Sequence, residues 1–171
     1  EGLLDPDSVL QAQWQGLRDA VRCREEMTGL EIVLQPIGAG TAGGTDRVLV
    51  PSHGDPSPGN CLMSSDQLWL IDWEYGAFGN AWFDVGNMAA ISDFDRQEET
   101  LLLEAYLGHP AAEADWRCFG AMRCAANLRE TLWGMVSEQH LELDIDYQAY
   151  TAEQLAGFEN SYTDYLARYR D

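Results

Sequence analysis

The chain has 171 residues, 46% of them hydrophobic, which is enough to bury one sizeable core within the usual size of a single domain. Its ten basic residues are all Arg and face 29 acidic ones, for a formal charge of -19. A surface of that sign repels phosphate backbones and anionic lipid headgroups, which argues against nucleic acid and membrane partners, and it attracts cations.

The N-terminal stretch, Glu1 to Asp5, has neither the basic region nor the apolar run of a signal peptide. Cys23, Cys61, Cys118 and Cys124 form no C-x-x-C pair and are too sparse for a disulfide scaffold, so a reduced, cytoplasmic protein is expected. Asp5-Pro6 supplies a cap followed by proline at the first helical position. Val9, Leu10, Trp14, Leu17 and Val21 then recur at helical spacing, which predicts a helix from about Asp5 to Met27. Residues 36–46 are Gly-rich but lack the Gly-Lys-Ser/Thr ending of a phosphate-cradling loop, so they read as a linker into a strand over Arg47–Val50.

Two short apolar runs, Asn60–Met63 and Leu68–Asp72, flank the polar turn Ser64–Gln67 and predict a β-hairpin. Folded about Asp66, that hairpin sets Asn60 opposite Asp72. The remainder reads as helices over about Phe83–Ala90, Arg96–Leu107, Glu113–Glu138 and Tyr147–Arg168. The expected class is α+β, mostly α, with the hairpin carrying the chemistry.

That chemistry is concentrated in His53-Gly-Asp-Pro-Ser-Pro-Gly-Asn60 and, twelve residues on, Asp72. An amide carbonyl and a carboxylate are hard oxygen ligands of the kind Mg²⁺ accepts while it keeps waters and phosphate oxygens. Asp55, on the loop before Asn60, is placed to orient a hydroxyl and take its proton, as phosphoryl transfer from ATP requires. The spacing matches the kinase loop His-x-Asp-x-x-x-x-Asn, with Asp72 in the place of the metal-binding Asp that follows. Pro56 and Pro58 fix φ at two positions and stiffen the loop. His53 is expected to hold the loop by hydrogen bonds. Tyr75 and Trp133 offer aromatic faces to a cation, and Glu74 a carboxylate; core packing is the competing reading for both rings.

His53-Gly54-Asp55 with Asn60 resembles the catalytic loop of aminoglycoside phosphotransferases. Ile71-Asp-Trp-Glu-Tyr75 and Phe83-Asp-Val-Gly-Asn87 resemble choline and ethanolamine kinases. The resemblance runs from Val50 to about Phe158 and implies a protein-kinase-like C-terminal lobe. It implies Asp55 as base, Asn60 and Asp72 as Mg²⁺ ligands, and Asp84 as a brace for the catalytic loop. Trp133 lies in a segment similar to the choline-kinase helix that supplies an aromatic wall. Two departures, Gly54 within His-Gly-Asp and Glu130 where a second aromatic is usual, bear on which alcohol is accepted.

The expected activity is therefore ATP-dependent phosphorylation of a small cationic alcohol, choline or ethanolamine ahead of an aminoglycoside. The alternative is a cation-binding lobe without turnover. A kinase of this type also needs an N-terminal β-lobe with a basic side chain on the phosphates. The chain has no Lys and little length before its first helix, so the 171 residues alone are expected to turn over very slowly or not at all.

Overall fold

The computed structural model describes residues 49–141 and 144–169. The helix expected near residues 5–27, the Gly-rich stretch 36–46 and the first half of the expected strand lie outside them.

β1 (Leu49–Ser52) pairs antiparallel with β4 (Ala77–Asn80), Leu49 against Asn80 and Ser52 against Ala77. β4 was not expected from the sequence, because Ala-Phe-Gly-Asn carries no alternating pattern. This ribbon matters for position: it sets His53, just past β1, close to the helix that follows β4.

Between these strands lies the expected hairpin, β2 (Cys61–Met63) with β3 (Leu68–Leu70). Its register differs by one residue from the expectation. Ser64 and Gln67 close the turn through a 2.9 Å backbone bond, so the loop is centred between Ser65 and Asp66, and Cys61 pairs with Leu70. Asn60 therefore faces Ile71, whose N–H donates to the Asn60 carbonyl at 2.9 Å, and not Asp72. Asp72 comes one residue later and takes a left-handed conformation, φ 64° and ψ 61°, before a 3-10 turn over Trp73–Tyr75. That conformation is uncommon for a residue with a side chain and marks a place where the surroundings over-determine the backbone.

Four helices complete the fold. α1 (Ala81–Ile91) is capped by the Asn80 side chain, which accepts the Trp82 N–H at 3.0 Å. α2 (Arg96–Leu107) starts on a full capping box: Asp95 accepts from Gln97 and Glu98 while Glu98 accepts the Asp95 N–H. It ends at Gly108, whose φ of 74° only glycine adopts without strain. α3 (Glu113–His140) and α4 (Tyr147–Tyr169) follow. The expected limits of these four helices all agree to within two residues.

α3 is the central element because it is apolar on two faces. One face packs Met122, Leu128 and Leu132 against Phe158 and Tyr165 of α4. The other packs Phe119 against Val85 and Ala89 of α1 and Leu103 of α2. Gly86 lets α1 approach α3 closely, since a Cβ there would lie 2.7 Å from the Arg123 nitrogen. That contact brings α1 residue Asn87 beside α3 residue Arg129. No described helix is long and apolar enough to cross a membrane.

Candidate active site

The loop from Ser52 to Asn60 is held from three directions. Asp84, in the first turn of α1, accepts the His53 N–H at 2.7 Å and the Gly54 N–H at 2.9 Å, one on each carboxylate oxygen. His53 is buried, and its Nε2 lies 2.7 Å from the Ile71 carbonyl while its Nδ1 receives the Asp55 N–H at 3.2 Å. A ring nitrogen that accepts on one side must carry its proton on the other, so His53 is the Nε2–H tautomer and donates to Ile71. His53 thus joins the catalytic-type loop to the segment that ends in Asp72. The Trp73 indole packs on the same imidazole, with ring centroids 4.6 Å apart.

Gly54 has φ +82°, and an added Cβ would meet the Tyr75 carbonyl oxygen at 2.7 Å. The glycine is therefore required twice over, by conformation and by space.

Asn60 closes the loop from its far end. Its Nδ2 donates to the Asp55 carbonyl at 2.9 Å and to Asp55 Oδ2 at 3.0 Å. With the nitrogen so used, the Asn60 side-chain oxygen is left as an acceptor. Neither it nor the Asp72 carboxylate has a hydrogen-bond partner among the described residues. Two hard oxygens with free lone pairs are the donor type Mg²⁺ accepts alongside water and phosphate. No cluster of three or more His, Cys, Asp or Glu able to hold a metal exists among the described residues.

The sequence reading missed Arg129. Its Nη1 donates to the Gly54 carbonyl, and its Nη2 lies 3.2 Å from Asp55 Oδ1, 3.3 Å from Asn87 Oδ1 and 2.7 Å from Glu130 Oε1. Nε adds a 3.1 Å bond to Glu130 Oε1. The hydroxyl of Tyr150 donates to Glu130 Oε2 at 3.0 Å. Burial, and then the charge of Glu130 with this hydrogen bond, hold the Tyr150 phenol far above its usual range, so it stays a donor. Asn87 is fully buried, and its Nδ2 has no hydrogen-bond partner among the described residues.

Of the expected substrate-side residues, Trp133 is 42% exposed and packs edge-on to Tyr147 and Tyr150 at 6.0 and 5.7 Å. Tyr75 is 51% exposed, with the Arg129 guanidinium 6.0 Å from its ring centre. Burial and the neighbouring Glu74 carboxylate push the Tyr75 phenol upward. Glu74 is itself exposed and has no ion pair among the described residues. Tyr75 and Trp133 thus flank the Arg129–Glu130 pair from the hairpin side and the α4 side.

A short hairpin and a loop braced on a helical body define the class: this is the kinase-like fold, in its mostly helical α+β part. Residues 10–121 match the model of the phosphotransferase enzyme family (APH), and the chain belongs to that family. Over 108 residues it is 29% identical to protein LicA of Haemophilus influenzae, an alignment covering 60% of this chain and 32% of that protein. The choline/ethanolamine kinase family protein of Mesorhizobium loti superposes with a TM-score of 0.80 at 20% identity, covering 93% of this chain and 57% of that one. Choline kinase LicA of Streptococcus pneumoniae gives 0.66 at 20% identity, with 94% and 57% coverage. At these identities the structural likeness carries the fold. The chain spans about a third of its Haemophilus relative and just over half of each structural neighbour.

Proposed function

We propose that this chain is the C-terminal lobe of an ATP-dependent phosphotransferase that acts on the hydroxyl of a small cationic alcohol, choline or ethanolamine. One observation carries the reading: Asp55 and Asn60, five residues apart, are hydrogen-bonded to each other with the Asn60 side-chain oxygen left open, and Asp72 directly follows Ile71, the residue that Asn60 faces. Asp55 orients the acceptor hydroxyl and takes its proton. Asn60 and Asp72 hold Mg²⁺, which supplies charge neutralisation on the donor phosphates. His53 and Asp84 keep the loop in place. Tyr75 and Trp133 face the substrate cation, with Glu74 as a nearby carboxylate.

Membership of the phosphotransferase family supports the reaction class, and the description of the pneumococcal neighbour as a choline kinase supports the acceptor. A kinase of this type also needs a nucleotide-covering lobe, which we assign to the rest of the full-length enzyme; the match spans 57% of the Mesorhizobium neighbour. The test is ADP release by the full-length gene product with Mg²⁺-ATP and a panel of choline, ethanolamine and an aminoglycoside, wild type against Asp55→Ala. Turnover on an amino alcohol that falls by several orders of magnitude in the variant is the expected result. Preference for the aminoglycoside would reassign the acceptor, and cation binding without turnover in either protein would leave a binding lobe.

A further inference from the structure

We propose that Arg129 is the positioning residue for the Asp55 carboxylate, and that Glu130 serves Arg129 rather than the substrate cation; this rests on the functional reading above. Both oxygens of Asp55 are spoken for by the protein: Oδ2 by Asn60 at 3.0 Å and Oδ1 by Arg129 at 3.2 Å. Two donors on different elements fix the carboxylate plane, where Asn60 alone would leave it free to rotate about χ2. Arg129 is suited to this because its planar fork reaches several acceptors at once. It grips the loop twice, at the Gly54 carbonyl and at Asp55, and is itself located by Asn87 of α1. The grip links residues 74 positions apart, so the loop's position is set by the helical body as well as by its own turns.

Glu130 completes the arrangement. Its Oε1 takes two Arg129 nitrogens and its Oε2 takes the Tyr150 hydroxyl, so both oxygens are engaged inside the protein. The guanidinium then stands between two carboxylates, Asp55 and Glu130, at 3.2 and 2.7 Å. One neighbour balances its charge while the other is oriented by it. Two guanidinium donors fill Oε1, which turns that side of the Glu130 carboxylate to Arg129. Glu130 therefore belongs to the reaction loop, although it lies three residues from Trp133 on the same helix.

The experiment is steady-state kinetics on the full-length gene product with Mg²⁺-ATP and the amino alcohol that wild type turns over best. Arg129→Ala is expected to lower kcat by about a hundredfold, the usual effect of a misplaced reacting group, with KM for the alcohol within about threefold. Guanidinium ion added at millimolar concentration is expected to restore part of the lost rate, which a merely structural loss does not allow. Arg129→Lys keeps one charge without the fork. It covers the case in which the alanine variant does not fold, and about a tenfold fall in kcat is expected. Glu130→Gln is expected to lower kcat and leave KM for the alcohol unchanged. Unchanged kcat in a folded Arg129 variant overturns the positioning role, as does a loss that appears only in KM. A KM effect confined to Glu130→Gln overturns the assignment of Glu130. A wild type inactive on every acceptor overturns the functional reading first and the positioning role with it.

Discussion

Asn60 reaches back five residues with a single amide nitrogen to hold both the carbonyl and the carboxylate of Asp55, at 2.9 and 3.0 Å. The residue proposed to bind metal and the residue proposed to accept the proton are thus one hydrogen-bonded unit. An amide can do both jobs, since it donates through nitrogen and accepts through oxygen.

Replacing Asn60 by Asp separates those jobs. The new carboxylate can still ligate Mg²⁺, but it sets a second negative charge about 3 Å from Asp55, where two like charges cannot both be comfortable. Asn60→Asp is expected to lower kcat on the order of a hundredfold through misplacement of Asp55. The Mg²⁺ concentration for half-maximal rate should change much less. The check is a Mg²⁺ titration of the initial rate for both proteins.

Gly54 and Asp84 support the same loop by different means. At Gly54, φ +82° and the 2.7 Å approach to the Tyr75 carbonyl make Gly54→Ala costly by about 1–3 kcal/mol from backbone strain alone. Asp84→Asn loses one of two charge-assisted bonds and turns an amide N–H toward a backbone N–H, for about 1–3 kcal/mol. Urea denaturation of the two variants, followed by far-UV circular dichroism, gives the differences directly. A midpoint unchanged in both would mean that neither contact holds the loop in solution.

How legible this was depended on distance along the chain. α2 was read to its exact ends, and the structure shows that Asp95, Glu98 and Gly108, all local in sequence, fix them. The hairpin was readable too, but its register was not. A four-residue turn such as Ser64–Gln67 can be centred on a residue or between two, and composition does not distinguish them. That single-residue difference moved Asp72 out of the pairing with Asn60 and into a left-handed turn. Arg129 was invisible for another reason. It sits 74 residues from Asp55, and an Arg on a helix face reads as a solvated charge until the packing of α1 on α3 is known. His53, Asp55, Asn60 and Asp72 were legible as candidates because motif spacing survives without any knowledge of packing.

Cys124 tests the α3–α4 core rather than the site. Burial pushes its thiol up to about 12, with Ser161 and Arg123 acting in the opposite sense. An acid whose folded pKa is raised stabilises the protein fully below its unfolded value and loses that contribution as pH rises toward the folded one. Stability is thus expected to fall between about pH 9 and pH 12 on account of this group, measurable as a declining melting temperature that Cys124→Ala flattens. In native protein near pH 8, iodoacetamide should modify Cys61, which is partly accessible, while Cys124 reacts only on unfolding. Mass spectrometry of the alkylated peptides settles the order.

Trp133 decides whether the aromatic cluster on α3 and α4 is a substrate wall or ordinary packing. Its ring is 42% exposed and held edge-on by Tyr147 and Tyr150, a way to present a face outward while fixing its angle. A buried packing role would hide the ring, and 42% exposure argues against that. A cation held over such a face gains about 0.5–2 kcal/mol, so Trp133→Ala is expected to raise KM for the amino alcohol by roughly two- to thirtyfold. Maximal velocity at saturating alcohol should stay near wild type, because Asp55 is set by Arg129 and Asn60 and not by the Trp133 ring. Trp133→Phe keeps a weaker aromatic face and should fall between the two. A drop in melting temperature with KM unchanged would assign the residue to the α3–α4 interface and leave Tyr75 as the remaining aromatic contact for the cation.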